Sequence, residues 1–226
     1  MCSAIACGQP LTHHSANIRS AGARVRIEEY RPRDSAGSAV LVLLYGSGGA
    51  HSSGVPYVDE ARLFAAKNCA VYLPHYLDVT TGSAAEPQSH YELWAKTVED
   101  ALRWIASRTG IARDRTVIAG YSLGGSVALA VAAAQPGLGG IVVWSGSLPD
   151  AYRDVEALPP LLILHGGRDT VVPASDARQL AALCAIRKFR CDLSIYPEEG
   201  HAFSAEGIGR ADQQILTFLN RILRPR

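Results

Sequence analysis

The stretch Gly120-Tyr121-Ser122-Leu123-Gly124-Gly125 is where chemistry is most readable in this chain. An apolar run, Thr116 to Ala119, leads into it, and an alanine-rich run, Ser126 to Ala134, leads out. Strand, sharp turn and helix would lift the serine oxygen above a sheet. The same turn leaves the Leu123 N–H at a helix N-terminus, where it faces developing negative charge. Side chains two before and two after the apex would strike the flanking elements, and Gly120 and Gly124 avoid that.

A serine hydroxyl is a weak nucleophile at neutral pH and needs a base within hydrogen-bond reach. The base in turn needs a group that fixes its tautomer and stabilises its positive charge. In a parallel sheet such groups gather at the carboxyl ends of strands. Leu161 to His165 reads as a strand, and Gly166-Gly167-Arg168-Asp169 follows at once. Leu193 to Tyr196 reads as another, followed by Pro197-Glu198-Glu199-Gly200-His201. Ser122, Asp169 and His201 thus stand in the order serine, acid, histidine, each at a strand exit. Competing assignments exist for each: the serine stretch also fits an ordinary glycine-containing loop. Asp169 also fits as the cap of a helix starting near Val172-Pro173, and His201 as a loop histidine bonded to backbone. Asp150 and Asp154 follow the preceding strand but lack the Gly-Gly approach. His165 reads as a core histidine, and Glu198 and Glu199 as solvated charges.

Stabilising an oxyanion takes two donors. Leu123 N–H is one. The other falls in the loop after the first central strand, Tyr45-Gly46-Ser47-Gly48-Gly49, where we assign the Ser47 N–H, with Gly48 as the fallback. This glycine cluster lacks the lysine of a phosphate-binding loop and the full GxGxxG spacing, which argues against a nucleotide.

The elements that must position these groups alternate along the chain. Strands are expected at Arg24–Tyr30 (polar and apolar alternating, as in a half-exposed edge strand), Val40–Leu44, Ala70–Leu73, Thr116–Ala119, Gly140–Trp144, Leu161–His165 and Asp192–Tyr196. Helices are expected at Tyr57–Asn68, Tyr91–Ser107, Ser126–Ala134, Ala174–Ala185 and Ala211–Arg224, with Glu99 and Arg103 as an i,i+4 pair and Gly110 as a stop. His75 to His90 reads as a long irregular loop. Strand–helix alternation implies right-handed crossovers and a mostly parallel sheet with helices on both faces. The Ser145–Pro160 connection is too short for a large cap. A flexible segment is expected over residues 1–22 and one α/β domain over 23–226.

The 226 residues are 48% hydrophobic and 19% charged, with a net charge of +1, as in a compact globular enzyme. Lys and Arg form no basic stripe, so nucleic acid is not an expected partner, and no apolar run is long enough to span a membrane. Of the five cysteines, Cys2, Cys7, Cys69, Cys184 and Cys191, none has metal-ligand spacing. No metal or cofactor is expected. Cys69 reads as core, and Cys184 and Cys191 as two free thiols, a reading that an oxidising compartment would reverse. The N-terminal residues lack a charged stretch followed by a long apolar core, which points to a cytoplasmic protein, or a periplasmic or secreted one if a leader has been removed.

The glycine-rich loop after a leucine-rich strand, Gly-Tyr-Ser-Leu-Gly-Gly, His-Gly-Gly-Arg-Asp-Thr-Val-Val-Pro and Gly-His-Ala-Phe together resemble the α/β-hydrolase superfamily and, more narrowly, the dienelactone hydrolase-like family, over roughly residues 24–224. The resemblance implies an eight-stranded or slightly reduced sheet and Ser122, Asp169 and His201 as a catalytic triad. Two departures stand out. The family's cysteine nucleophile is replaced by Ser122, and the loop Pro74-His75-Tyr76-Leu77-Asp78 lacks a carboxylate-binding arginine. Tyr45 also stands where many relatives have histidine. The expected activity is therefore cleavage of a small carboxylic ester or lactone through an acyl-enzyme, with Tyr45, His75, Tyr76, Trp144 and Phe203 as pocket-lining groups. A peptidase, thioesterase or acyltransferase using the same residues, and an inactive hydrolase-fold binding protein, are the alternatives. The pattern gives no oligomeric state.

Overall fold

A computed structural model describes residues 10–32, 39–50, 57–67 and 69–223. Its centre is an eight-stranded sheet in the order β1-β2-β4-β3-β5-β6-β7-β8. The strands are β1 (Leu11–Ser20), β2 (Ala23–Pro32), β3 (Val40–Leu44), β4 (Ala70–Pro74), β5 (Thr116–Tyr121), β6 (Gly140–Trp144), β7 (Leu161–Gly166) and β8 (Cys191–Tyr196). From β4 through β8 every pairing is parallel, whereas β1 and β2 run antiparallel. The fold is that of an α/β-hydrolase, and the described residues include no large cap. Every residue of β3 to β7 is buried, which requires helices on both faces of the sheet.

Among the described residues the α-helices are α1 (Tyr57–Ala65), α2 (Pro87–Thr109), α3 (Leu123–Ala134), α4 (Ala174–Arg187) and α5 (Ala205–Ile222). Gly110 ends α2 in the left-handed region at φ 67°, donating back to Ala106. Glu99 and Arg103 do not pair with each other: Glu99 takes a two-pronged bond from Arg113, and Arg103 binds Asp100. Part of the expected 75–90 loop is ordered as a 3-10 turn, Tyr76–Thr80, and α2 starts four residues earlier than its apolar stripe because Pro87 suits a first helical turn.

The N-terminal expectation is corrected over its described part. Residues 11–20 form β1, hydrogen-bonded along all of β2, so β2 lies inside the sheet and is not its edge. Ala21 and Gly22, both at positive φ, make the two-residue hairpin turn. Ser20 then docks β1 on α2 through bonds to Thr97 and Asp100. The strand is hard to read because half of its side chains are exposed and polar. Residues 1–9, including Cys2 and Cys7, lie outside the described part.

Cys184 and Cys191 form a disulfide between the last turn of α4 and the start of β8, against the expectation of free thiols, while Cys69 is free and buried. Among the described residues no helix is long and apolar enough to cross a membrane.

Candidate active site

Because β3, β5, β7 and β8 are parallel neighbours or near-neighbours, their carboxyl ends meet at one edge, and every candidate group sits just beyond one of these ends. The residue after β5 is Ser122, at φ 54° and ψ −121°, a conformation non-glycine residues rarely adopt. Its amide donates to Trp144 at 2.8 Å. The two glycines of the turn are sterically obligatory. A side-chain carbon at Gly120 would lie 2.2 Å from the Gly124 carbonyl oxygen, and one at Gly124 would lie 2.2 Å from that of Leu44. Leu123 opens α3, so its N–H has no acceptor within the helix.

The turn after β7 carries Asp169, whose side chain is fully buried. Its Oδ1 accepts the amides of Val171 at 2.9 Å and Val172 at 2.8 Å, and its Oδ2 accepts from His201 Nδ1 at 2.8 Å. Asp169 therefore closes its own turn; the N-cap of α4 is Pro173, without a side-chain cap. On the other side of the imidazole, His201 Nε2 lies 2.9 Å from Ser122 Oγ. With Nδ1–H donated to the carboxylate, Nε2 is left as the acceptor for the serine hydroxyl. Serine, imidazole and carboxylate thus touch in series. The rival acids do not share in this: Asp150 is exposed and paired with Arg153, and Asp154 is exposed.

The loop that carries His201 is fastened in two places. Tyr121 Oη donates to the His201 carbonyl at 3.0 Å, and its ring tilts against the imidazole at 5.3 Å between centroids. Burial and the charge of Asp169 push the Tyr121 phenol up to about 12, so it stays a donor. Glu199, expected to be solvated, is buried instead. It accepts the Ser204 amide and hydroxyl, and these bonds, the amide first, hold its carboxyl below the ordinary range. Glu198 does remain exposed, paired with Arg168.

The turn after β3 is held by two tyrosines. Gly46 N–H donates to Tyr57 Oη at 2.8 Å, and Tyr76 Oη donates to the Tyr45 carbonyl at 2.7 Å. Gly46 lies against the serine: a carbon added there would come within 3.3 Å of Ser122 Cβ. Ser47 follows, exposed, in a turn closed by the Gly49 amide on the Gly46 carbonyl at 3.1 Å.

Five residues carry the pocket expectation. Tyr45, Tyr76, Trp144 and Phe203 are buried, and His75 is tied to Glu28 at 2.9 Å. Tyr45 and Tyr76 stack at 4.9 Å, and Trp144 meets Tyr121 and Phe203 edge-on. Of the five, Tyr45 and Tyr76 brace the turn after β3. A cleft of about 310 Å³ opens elsewhere, between residues 147–153 and α4, over Leu148, Leu180 and Leu183, and none of the five contributes to it. The role of Tyr121 carries no sequence signal, because its partner His201 lies 80 residues on, and those of Tyr57 and Glu199 depend on turns that bring Gly46 and Ser204 onto them. Among the described residues no cluster of three His, Cys, Asp or Glu is arranged to hold a metal ion.

Residues 80–214 match the model of the dienelactone hydrolase family. A Yersinia pestis protein named "Putative carboxymethylenebutenolidase" is 33% identical over 119 residues, covering 48% of this chain and 44% of that protein. The chain thus spans less than half the length of the curated relatives it matches first. Among solved structures, a dienelactone hydrolase-like promiscuous phosphotriesterase from metagenomic libraries superposes with a TM-score of 0.83 at 16% identity, over 94% of this chain and 98% of that one. The acylaminoacyl peptidase of Pyrococcus horikoshii superposes with a TM-score of 0.79 at 12% identity, over 93% of this chain and 41% of that one. Likenesses at such identities show the shared fold.

Proposed function

The chain belongs to the dienelactone hydrolase family, and from that premise we propose that it is a serine hydrolase cleaving small carboxylic esters or lactones through an acyl-enzyme. One observation carries the reading: His201 bridges Ser122 and Asp169, at 2.9 and 2.8 Å.

The chemistry follows from that bridge. His201 Nε2 takes the Ser122 proton as Oγ attacks the ester carbonyl, and Asp169 stabilises the imidazolium that forms. The Ser47 and Leu123 amides receive the oxyanion. The imidazolium gives its proton to the leaving alkoxide, and an acyl-serine remains. Water, deprotonated by the same imidazole, attacks the acyl-serine and releases the acid. This reading places one catalytic unit in one domain and requires no cofactor. The Cys184–Cys191 disulfide favours an oxidising compartment over the cytoplasm.

The test is fluorophosphonate labelling together with hydrolysis of 4-nitrophenyl acetate. Wild-type protein should label once, at Ser122, and turn over the ester. Ser122→Ala should lose both while keeping its fold by circular dichroism. Unimpaired hydrolysis by Ser122→Ala would overturn the proposal.

A further inference from the structure

One buried imidazole next to the site is not used by the mechanism. His165 occupies the penultimate position of β7, among Leu161, Leu162, Ile163 and Leu164, and is fully buried. A polar ring in such a place is costly unless it bonds. Its Nε2 lies 2.9 Å from the Val172 carbonyl oxygen and 3.3 Å from Asp169 Oδ2. Both neighbours accept hydrogen bonds, so Nε2 carries the hydrogen. Nδ1 is buried without a hydrogen-bond partner among the described residues, so a hydrogen there would be a stranded donor. One tautomer is therefore selected, and it points at the turn that holds the acid.

The partners close a ring. Val172 offers its carbonyl to His165, and its amide to Asp169 Oδ1 at 2.8 Å. Asp169 Oδ2, the oxygen nearest His165, is also the one bonded to His201 at 2.8 Å. One residue of the strand thus fastens both ends of the turn that orients the carboxylate.

We propose that His165 is a positioning residue for the hydrolytic reaction: its Nε2–H pins the Val172 carbonyl and the inner edge of the Asp169 carboxylate, so that Oδ2 meets His201 Nδ1. His165 touches no substrate and transfers no proton. Without it the 169–172 turn is free to rotate, and the carboxylate slips from the imidazole it must steady as that imidazole becomes charged. Displacements on the order of 1 Å in such groups cost up to about a hundredfold in rate.

This inference rests on the triad reading, and its test separates the two. His165→Phe keeps an aromatic ring in the strand and removes the donor. His165→Gln keeps an N–H at about the same reach. Activity toward 4-nitrophenyl acetate would be measured across pH for both, with thermal unfolding alongside. In His165→Phe, kcat should fall roughly 10- to 100-fold with KM within about twofold. The acid limb of kcat/KM should move as well, because the Asp169 carboxylate that steadies the charged imidazole is displaced. His165→Gln should recover most of kcat and return the limb. A purely packing role would lower thermal stability and leave the limb in place. A folded His165→Phe with unchanged kcat and limb, or a His165→Gln no better than His165→Phe, would overturn the inference. If His165→Phe does not fold, His165→Gln decides with the low-field proton NMR signal of the His201–Asp169 bond: signal and kcat retained support the proposal, and loss of either overturns it. Hydrolysis that survives Ser122→Ala removes the site itself; hydrolysis that needs Ser122 but ignores His165 removes only this step.

Discussion

Gly46 gives its amide hydrogen to the Tyr57 hydroxyl at 2.8 Å, so the first residue of α1 anchors the turn after β3. Tyr57→Phe preserves shape and leaves that buried N–H unpaired, at a cost of about 1–3 kcal/mol. The turn also carries the Ser47 amide assigned to the oxyanion. Steady-state kinetics should show kcat lowered roughly tenfold, less than the ~10²–10³ of losing a donor outright, with KM little changed. An unchanged kcat would detach Tyr57 from the site.

Two glycines make a paired test of the steric argument. Gly124→Ala would put a carbon 2.2 Å from the Leu44 carbonyl oxygen, which β3 holds fixed, and should destabilise by more than ~4 kcal/mol or prevent folding. Gly209 is exposed within α5, with nothing within 4 Å of an added carbon. Gly209→Ala should stabilise by about 0.5–1 kcal/mol. Thermal denaturation of both variants checks the contrast.

Stability should fall on both sides of mildly acidic pH. Burial raises Glu60 to about 8, with Asp212 adding to the shift, and raises Asp212 itself to about 6. The folded chain then holds protons that the unfolded chain releases, so this contribution is complete at acid pH and is lost as pH rises toward 8. Glu28 behaves in the opposite way. Burial pushes its carboxyl up, but hydrogen bonds from Arg26, His75 and Tyr30 outweigh burial and lower it from 4.5 to about 2. Its contribution is present above the ordinary carboxylate range and is lost as pH falls toward 2. Urea midpoints measured across this range should decline at both ends. Glu60→Gln should flatten the alkaline arm, and Glu28→Gln the acid arm. A midpoint that climbs steadily from pH 5 to 9 would contradict the assignment.

The Cys184–Cys191 bond lies at the amino end of β8, away from the carboxyl edge where Ser122, Asp169 and His201 meet. Reducing it, or replacing both cysteines with serine, should cost about 2 kcal/mol of stability for so short a ring. The rate of ester cleavage below the unfolding transition should not change.

Much of this was readable from residue pattern, for identifiable reasons. Fully buried strands such as Val40–Leu44 and Gly140–Trp144 appear as unbroken apolar runs, and the structure reproduces those bounds. The serine turn was readable because steric demands at Gly120 and Gly124 leave glycine little substitute. β1 was not, since an exposed polar strand has no apolar period to betray it. The supports of the candidate site were hidden for another reason. Tyr121 reaches the His201 carbonyl across 80 residues, and Glu199 looked like a solvent charge until the fold brought Ser204 onto it. Tyr45, Tyr76, Trp144 and Phe203 are buried, and aromatic type signals bulk, whether that bulk lines a cleft or fills the space behind one.

Ser122 and His201 are 79 residues apart, and Asp169 is 32 from His201. No isolated hairpin or single crossover contains the constellation, so turnover can return only after β5, β7 and β8 have all docked in register. During refolding, regained ester cleavage therefore times closure of the C-terminal half of the sheet, and should lag behind the far-ultraviolet signal that the helices give early.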